Sequence, residues 1–269
     1  MNSIQVTHSA TASTVTSDLK RLKLVIEDLE RELIAFMRKH SITHDEYRHA
    51  TNLLIKTVKA GEESLLYDVF LEAESTDIGN RLLESSPQAI EGPFYVAGAP
   101  VLRFPYVMPM RPEEPGHKLI FRGRVTDTSG ASVAGAELDV WQADAAGLYS
   151  NIHPDIPAWN LRARFHTQAD GTFEVRTILP PPYEIPKDGP TGQILTALGR
   201  HFFRPAHIHV KVRHADCVEM TSQIYFEGGE YLDNDVANAV REGLIAPLVE
   251  GREPGSFDVR YDFVLKSAT

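Results

Sequence analysis

The chain has 269 residues, 42% hydrophobic and 24% charged, which is the composition of an ordinary globular protein long enough to bury a core, as one large domain or two unequal parts. Its formal net charge of −10 comes without any Lys/Arg cluster of the size a nucleic-acid binder shows, and its single cysteine, Cys217, excludes an intrachain disulfide and an all-cysteine zinc site. No apolar run approaches the ~20 residues of a membrane span, so no membrane insertion is expected.

Residues 1–16 are rich in Ser and Thr, lack an apolar signal core and carry no arginine, so they read as a flexible tail and the expected compartment is cytoplasmic. Leu19, Leu22, Ile26, Leu29, Leu33 and Phe36 then recur at steps of 3, 4, 3, 4 and 3, which predicts an amphipathic helix from about Ser17 to Lys39. Its seam needs a partner, either another helix or a second subunit. Thr43 and Glu46 have the spacing of a capping box, and a second helix is expected to run from there to Ala60, ended by Gly61. A third, from about Glu63 to Ser75, would turn Leu65, Leu66, Val69, Phe70 and Ala73 to one side.

Seven prolines between Pro87 and Pro115 mark an extended connection. Beyond it the period falls to two. Leu119, Phe121, Gly123 and Val125 alternate with polar residues, as do Phe173, Val175 and Thr177, then Ile208, Val210 and Val212. Phe257, Val259, Tyr261, Phe263 and Leu265 form a last run. With turn signals such as Thr128-Ser129-Gly130 between them, these strands predict an antiparallel β-sandwich. The expected division is a tail over 1–16, a helical linker over 17–90 and a sandwich over 91–269.

His207-Ile208-His209 is the sharpest local feature. Residues i and i+2 of a strand share a face, so both imidazoles leave the sheet together while Ile208 points to the core. Two same-face histidines can reach one metal, although an isolated pair of this kind also serves as ordinary surface. Two tyrosines stand in unusual settings. Tyr149 ends the small-residue loop after Val140-Trp141, and Tyr183 is braced by Pro180, Pro181, Pro182 and Pro186. Each alone is compatible with core packing. As a set of four, two phenols and two imidazoles suit a hard trivalent cation, because such an ion strips the phenol proton and imidazole binds iron well. Zinc more often takes Cys/His or His/carboxylate sets. The donor set therefore points to Fe(III).

The ordered segments Gly147-Leu148-Tyr149-Ser150, Pro182-Tyr183-Glu184-Ile185-Pro186, Leu198-Gly199-Arg200-His201, Arg204-Pro205-Ala206-His207-Ile208-His209 and Tyr225-Phe226-Glu227-Gly228 resemble the intradiol ring-cleavage dioxygenases, and more narrowly the catechol and chlorocatechol 1,2-dioxygenase branch. The resemblance runs through Glu91-Gly92-Pro93-Phe94-Tyr95 and covers most of the chain. It implies one Fe(III) per subunit on Tyr149, Tyr183, His207 and His209, and cleavage of a small aromatic diol by O2 to a cis,cis-muconate. It implies Arg204 as a charge-stabilising residue, Tyr183 as the tyrosinate that accepts a substrate proton, and Gln223 as an amide ordering the site. The expected pocket wall is Leu65, Asp68, Val69, Ile90, Gly92, Pro93, Phe94, Ile185, Pro186 and Ala237. Asp68 is similar to chlorocatechol enzymes and Ala237 to catechol enzymes, so catechol is the expected substrate with a chlorocatechol or hydroxyquinol preference as the alternative. The resemblance also implies a homodimer through the N-terminal helices, with a bound phospholipid at that interface. Outside this class stand a non-catalytic sandwich used as a binding module, and a zinc hydrolase, for which no third His or carboxylate ligand is evident.

Overall fold

The computed structural model describes residues 19–268, so the tail expected over 1–16 and the start of the first helix at Ser17 lie outside the described residues. Helix α1 (Leu19–Lys39) carries the predicted seam, yet none of its residues is buried, and Leu19, Leu22, Ile26, Leu29, Leu33 and Phe36 are all exposed. Helix α2 (His44–Ala60) begins at the predicted box: the Thr43 hydroxyl accepts from the Glu46 amide and the Glu46 carboxylate accepts from the Thr43 amide. Gly61, at φ +71°, ends it in the left-handed region that favours glycine.

The third helix departs from expectation. It runs past Ser75 to Asn80 and is interrupted: α3 (Glu63–Tyr67), a π-helical turn over Asp68–Glu72, then α4 (Ala73–Asn80). The wider turn keeps Leu65, Leu66, Val69 and Ala73 buried but rotates Phe70 outward, where the Arg200 guanidinium lies 5.4 Å from its ring. Single π turns of this kind occur often at functional sites.

The strands are β1 (Tyr106–Val107), β2 (Lys118–Asp127), β3 (Glu137–Trp141), β4 (Arg162–His166), β5 (Thr172–Ile178), β6 (Tyr183–Glu184), β7 (Phe203–Arg204), β8 (His207–Arg213), β9 (Met220–Phe226), β10 (Ile245–Ala246), β11 (Leu248–Glu250), β12 (Phe257–Arg260) and β13 (Phe263–Leu265). Helix α5 (Pro190–Ala197) lies between β6 and β7. The expected β-sandwich with N-terminal helices is the observed architecture. One sheet has the order β1-β5-β2-β12-β11, with β13 also on β2; the other has the order β10-β9-β8-β3-β4. The long central pairs β2·β5, β3·β8 and β8·β9 are antiparallel, whereas β1, β10, β12 and β13 add parallel ladders. Phe121, Phe173 and Phe263 from one sheet meet Leu138, Phe165, Ile208 and Ile224 from the other in one apolar core.

The run from Phe257 to Leu265 is two strands rather than one. A Cβ at Gly123 would lie 1.8 Å from the Tyr261 carbonyl oxygen, so the chain dips against β2 where β2 has no side chain. There the Arg124 amide donates to the Asp262 carboxylate, 2.9 Å away, instead of to a ladder carbonyl.

A candidate metal centre on the outer face of the five-stranded sheet

Alternation along β8 sends Ile208, Val210 and Val212 into the core and His207, His209 and Lys211 to the opposite face. That face is not solvated: His207 and His209 are 1% and 2% exposed. The strand register lines up a row across it, Arg162 opposite Trp141, Trp141 opposite His209, and His209 opposite Gln223. Trp141 stacks on the His209 ring at 4.6 Å between centroids and 11° between planes, which fixes that ring.

Two loops bring the tyrosines over the histidines. The turn before Tyr149 is braced by Asp144, whose carboxylate accepts from the amides of Ala146 and Leu148 and pairs with Arg111 at 2.8 Å. Gly147, at φ +80°, lies so close to Tyr183 that a Cβ there would stand 2.8 Å from the Tyr183 Cβ. Tyr183 sits on the two-stranded ladder β6·β7, where its register partner is Arg204. The four rings close on one another: Tyr149–Tyr183 5.4 Å, Tyr149–His209 6.2 Å, Tyr183–His207 5.6 Å and His207–His209 4.6 Å between centroids.

The electrostatics suit a cation. Burial, and after it the charge of Arg204, lowers His207 to about 3, and burial likewise holds His209 well below its ordinary value, so both are neutral. The His207 Nδ1 lies 2.7 Å from the Pro205 carbonyl, which can only accept, so Nδ1 carries the proton and the Nε2 lone pair faces the site. The two Nε2 atoms are 3.0 Å apart. Burial raises the Tyr149 phenol well above its ordinary value, and burial raises Tyr183 as well. Among the described residues the buried Tyr149 hydroxyl has only the Tyr183 phenol beside it and makes no well-formed hydrogen bond, an arrangement that a bound cation would relieve. Among the described residues no group of three or more His, Cys, Asp or Glu could hold a metal, so the donor set here is two neutral imidazoles and two phenols. Hard phenolate oxygen with imidazole nitrogen fits a trivalent ion.

Arg204 is shared between structure and site. Its Nε and Nη2 bind the buried Asp235 at 3.1 and 3.0 Å, and Nη2 also donates to Gln223 and Tyr225. Its Nη1 lies 3.4 Å from the His207 Nε2, on the side of the site. Gln223 joins the parts: its amide nitrogen donates to the Ile90 carbonyl at 2.8 Å and lies 3.3 Å from the His209 Nδ1, while its oxygen takes Arg204 and Tyr225.

Beside these groups is a narrow cleft, with about 360 Å³ of empty space counted out to its solvent-open mouth. Leu65, Asp68 and Val69 come to it from the π-interrupted helix, Ile90, Gly92, Pro93 and Phe94 from the extended connection, and Ile185 and Ala237 from loops. Of the expected wall only Pro186 is absent, because it is exposed and turned away. Tyr183, His209 and Arg204 also line the cleft; Tyr149 and His207 lie behind it. Glu91 lines it too, held from behind by an ion pair with the nearly buried Lys211. Sequence reasoning assigned no role to Glu91, Asp235, Tyr225, Trp141 or Arg162. For Trp141 and Arg162 the missing signal is the pairing register of β4, β3 and β8; Asp235, in a polar loop, carries none.

The chain is similar to known proteins over most of its length. Residues 20–82 match the family described as catechol dioxygenase N terminus, and residues 90–267 the family described as dioxygenase. A chlorocatechol 1,2-dioxygenase of Rhodococcus opacus is 41% identical over 82% of this chain and 86% of its own. A catechol 1,2-dioxygenase of Acinetobacter baylyi is 36% identical over 87% of this chain and 78% of its own. The solved structure of a 3-chlorocatechol 1,2-dioxygenase from Rhodococcus opacus superposes with a TM-score of 0.90 at 39% identity, covering 93% of this chain and all of that one.

Proposed function

This chain belongs to the intradiol ring-cleavage dioxygenase family, in its catechol and chlorocatechol branch, and from that premise we propose that it opens catechol and chlorinated catechols to cis,cis-muconates at an Fe(III) held by Tyr149, Tyr183, His207 and His209. The observation that carries the proposal is the convergence of two buried phenols and two neutral imidazoles at the end of a cleft lined by Arg204. When bound, ferric iron supplies Lewis acidity that draws electron density from the diol and makes a ring carbon reactive toward O2.

The protein groups divide the remaining work. Leu65, Val69, Ile90 and Ile185 give the cleft apolar walls that accept a flat ring and keep water from it. Tyr183 lines the cleft and Tyr149 does not, which supports the Tyr183 oxygen as the one that takes a proton from a substrate hydroxyl. Arg204 is held by Asp235 through Nε and Nη2, which leaves Nη1 to stabilise negative charge developing on the substrate. Gly92 and Ala237 contribute little volume to the wall, so a ring substituent such as chlorine has room. An apolar pocket of this kind separates single substituents by about 1–3 kcal/mol, which supports a range of catechols rather than one.

The exposed seam of α1 supports pairing with a second copy through the N-terminal helices, and a phospholipid at such an interface is what the family resemblance implies. No described helix is long and apolar enough to cross a membrane, and the cytoplasm is the compartment we assign.

A visible spectrum of the iron-loaded protein, followed by catechol, 3-chlorocatechol, 4-chlorocatechol and hydroxyquinol, tests the reading. A wine-red protein whose colour shifts on adding substrate, with muconate formed from catechol and chlorocatechols, is the expected result. A protein that stays colourless after reconstitution with iron would refute the two-tyrosine site. A red protein that turns over hydroxyquinol alone would keep the site and replace the substrate.

A further inference from the structure

Arg162, the first residue of β4, has no part in the reaction described above. It is 1% exposed, at the end of the row that continues through Trp141 and His209 to Gln223. Its Nε donates to the Ser150 carbonyl and hydroxyl, both at 3.1 Å. Its two terminal nitrogens, Nη1 and Nη2, are buried with no hydrogen-bond partner among the described residues. Among the described residues no carboxylate pairs with it. The nearest candidate on the neighbouring strand, Asp139, is occupied by Tyr95 at 2.9 Å and Arg213 at 3.2 Å. A cation fully removed from water without a counter-charge is one of the most unfavourable arrangements a fold can carry. The guanidinium carbon does lie 5.7 Å from the centre of the Tyr149 ring.

We infer that Arg162 is the built-in counter-charge for Tyr149 in its ionised, metal-holding form, a positioning residue that acts through Tyr149 and never touches substrate. Tyr149 lies wholly out of solvent and outside the cleft, so neither water nor substrate can offset negative charge there. Among the described residues Arg162 is the cation packed against its ring, while Arg204, which also acts on it by charge, is already paired with Asp235. Two residues, each poorly accommodated alone, become matched once the phenol is a phenolate. This asymmetry separates the two tyrosines: Tyr183 lines the cleft and has the shared Arg204 as its register partner, whereas Tyr149 has a cation committed to nothing else but the Ser150 oxygens.

The inference rests on the iron reading above, and the test separates the two. Arg162→Met, Arg162→Gln, Arg162→Lys and Ser150→Ala are compared with the unaltered protein by the position of the tyrosinate-to-iron absorption band and by iron retention against a chelator. A cation beside a phenolate lowers the energy of its filled orbitals, so removing it moves the band to longer wavelength. Arg162→Met and Arg162→Gln are expected to show that shift and to hold iron about 10- to 100-fold more weakly. Arg162→Lys, which keeps the charge, should recover most of both, and Ser150→Ala, which removes the hydroxyl that accepts from Nε and donates to the Asn160 carbonyl but leaves the cation, should leave the band in place. Gln retains a donor toward the Ser150 carbonyl, so it decides the matter if Arg162→Met fails to fold. A band and an iron affinity unmoved in Arg162→Gln, with stability lowered as in Ser150→Ala, would overturn the inference and leave Arg162 a loop fastener. Absence of the band in the unaltered protein would overturn the iron reading instead.

Discussion

The two sheets of the sandwich each have an outer face, written in the same alternation of polar and apolar residues, and the two faces have opposite fates. On the six-stranded sheet Arg122, Glu174 and Asp258 stay in water, with side chains 39%, 46% and 31% exposed, and form ion pairs of 2.9 and 3.9 Å. On the five-stranded sheet the corresponding positions, Trp141, His209 and Gln223, are at most 2% exposed. The difference lies in what covers them. The π-interrupted helix, the segment around Gly92, the Tyr149 loop and the turn from Asp235 to Ala239 all come from elsewhere in the chain and close over one sheet only. Polar side chains on the open face are solvated and interchangeable. Beneath the cover each must find a partner, and the partners become the site.

The sharpest way to break this contrast is to remove a donor from the covered face. His209→Ala is expected to abolish iron binding and turnover together, read by elemental analysis and by muconate formation; an iron-loaded, active variant would sink the assignment. Next in size is Arg204→Ala. It should keep the iron and lose about 10²–10³-fold in kcat. It should also lose about 3–5 kcal/mol of stability, because Asp235 is left charged and buried. Adding Asp235→Asn tests the split role: denaturant unfolding should recover much of the stability while turnover stays low. Recovery of turnover as well would mean that Arg204 serves the fold alone.

A smaller effect belongs to Glu72, in the π turn. One oxygen accepts from the amides of Glu91 and Gly92, the other has no partner, and burial with the charge of Asp68 raises its pKa from 4.5 to about 7. Folding therefore disfavours its ionised form. The associated stability is fully present below the unfolded value of 4.5 and is lost as pH rises through about 7, by up to about 3 kcal/mol. Glu72→Gln should flatten stability between those limits, and an unchanged pH profile of unfolding would contradict it. Smallest of all, Arg122→Ala on the open face should alter stability by less than about 1 kcal/mol, and less still at high salt. A larger loss would mean that the open face is not the simple solvated surface it resembles.

Much of this was legible in the chain itself. Heptad-like spacing is a local property, so α1 and α2 could be read from Leu19 to Gly61. Period-two alternation placed both histidines on one face of a strand, because that follows from backbone geometry alone. The resemblance carried by five short segments brought Tyr149 and Tyr183 to the same site. Other features were illegible because they depend on contacts between distant segments. The break at Tyr261 reflects the close approach to Gly123, and neither the π turn at Asp68 nor the exposure of Pro186 is marked by the local spacing of apolar residues.

Side-chain chemistry and strand alternation are written residue by residue, so the chain already specifies which residue types could hold a hard cation and which strand presents two of them. That this face is covered, that Asp235 takes one side of Arg204, and that the Arg162 guanidinium lies against Tyr149 without a carboxylate partner all come from the packing of distant segments. Burial, pairing and the resulting electrostatics are properties of the space between segments, and that space exists only once the sheets have closed on their core.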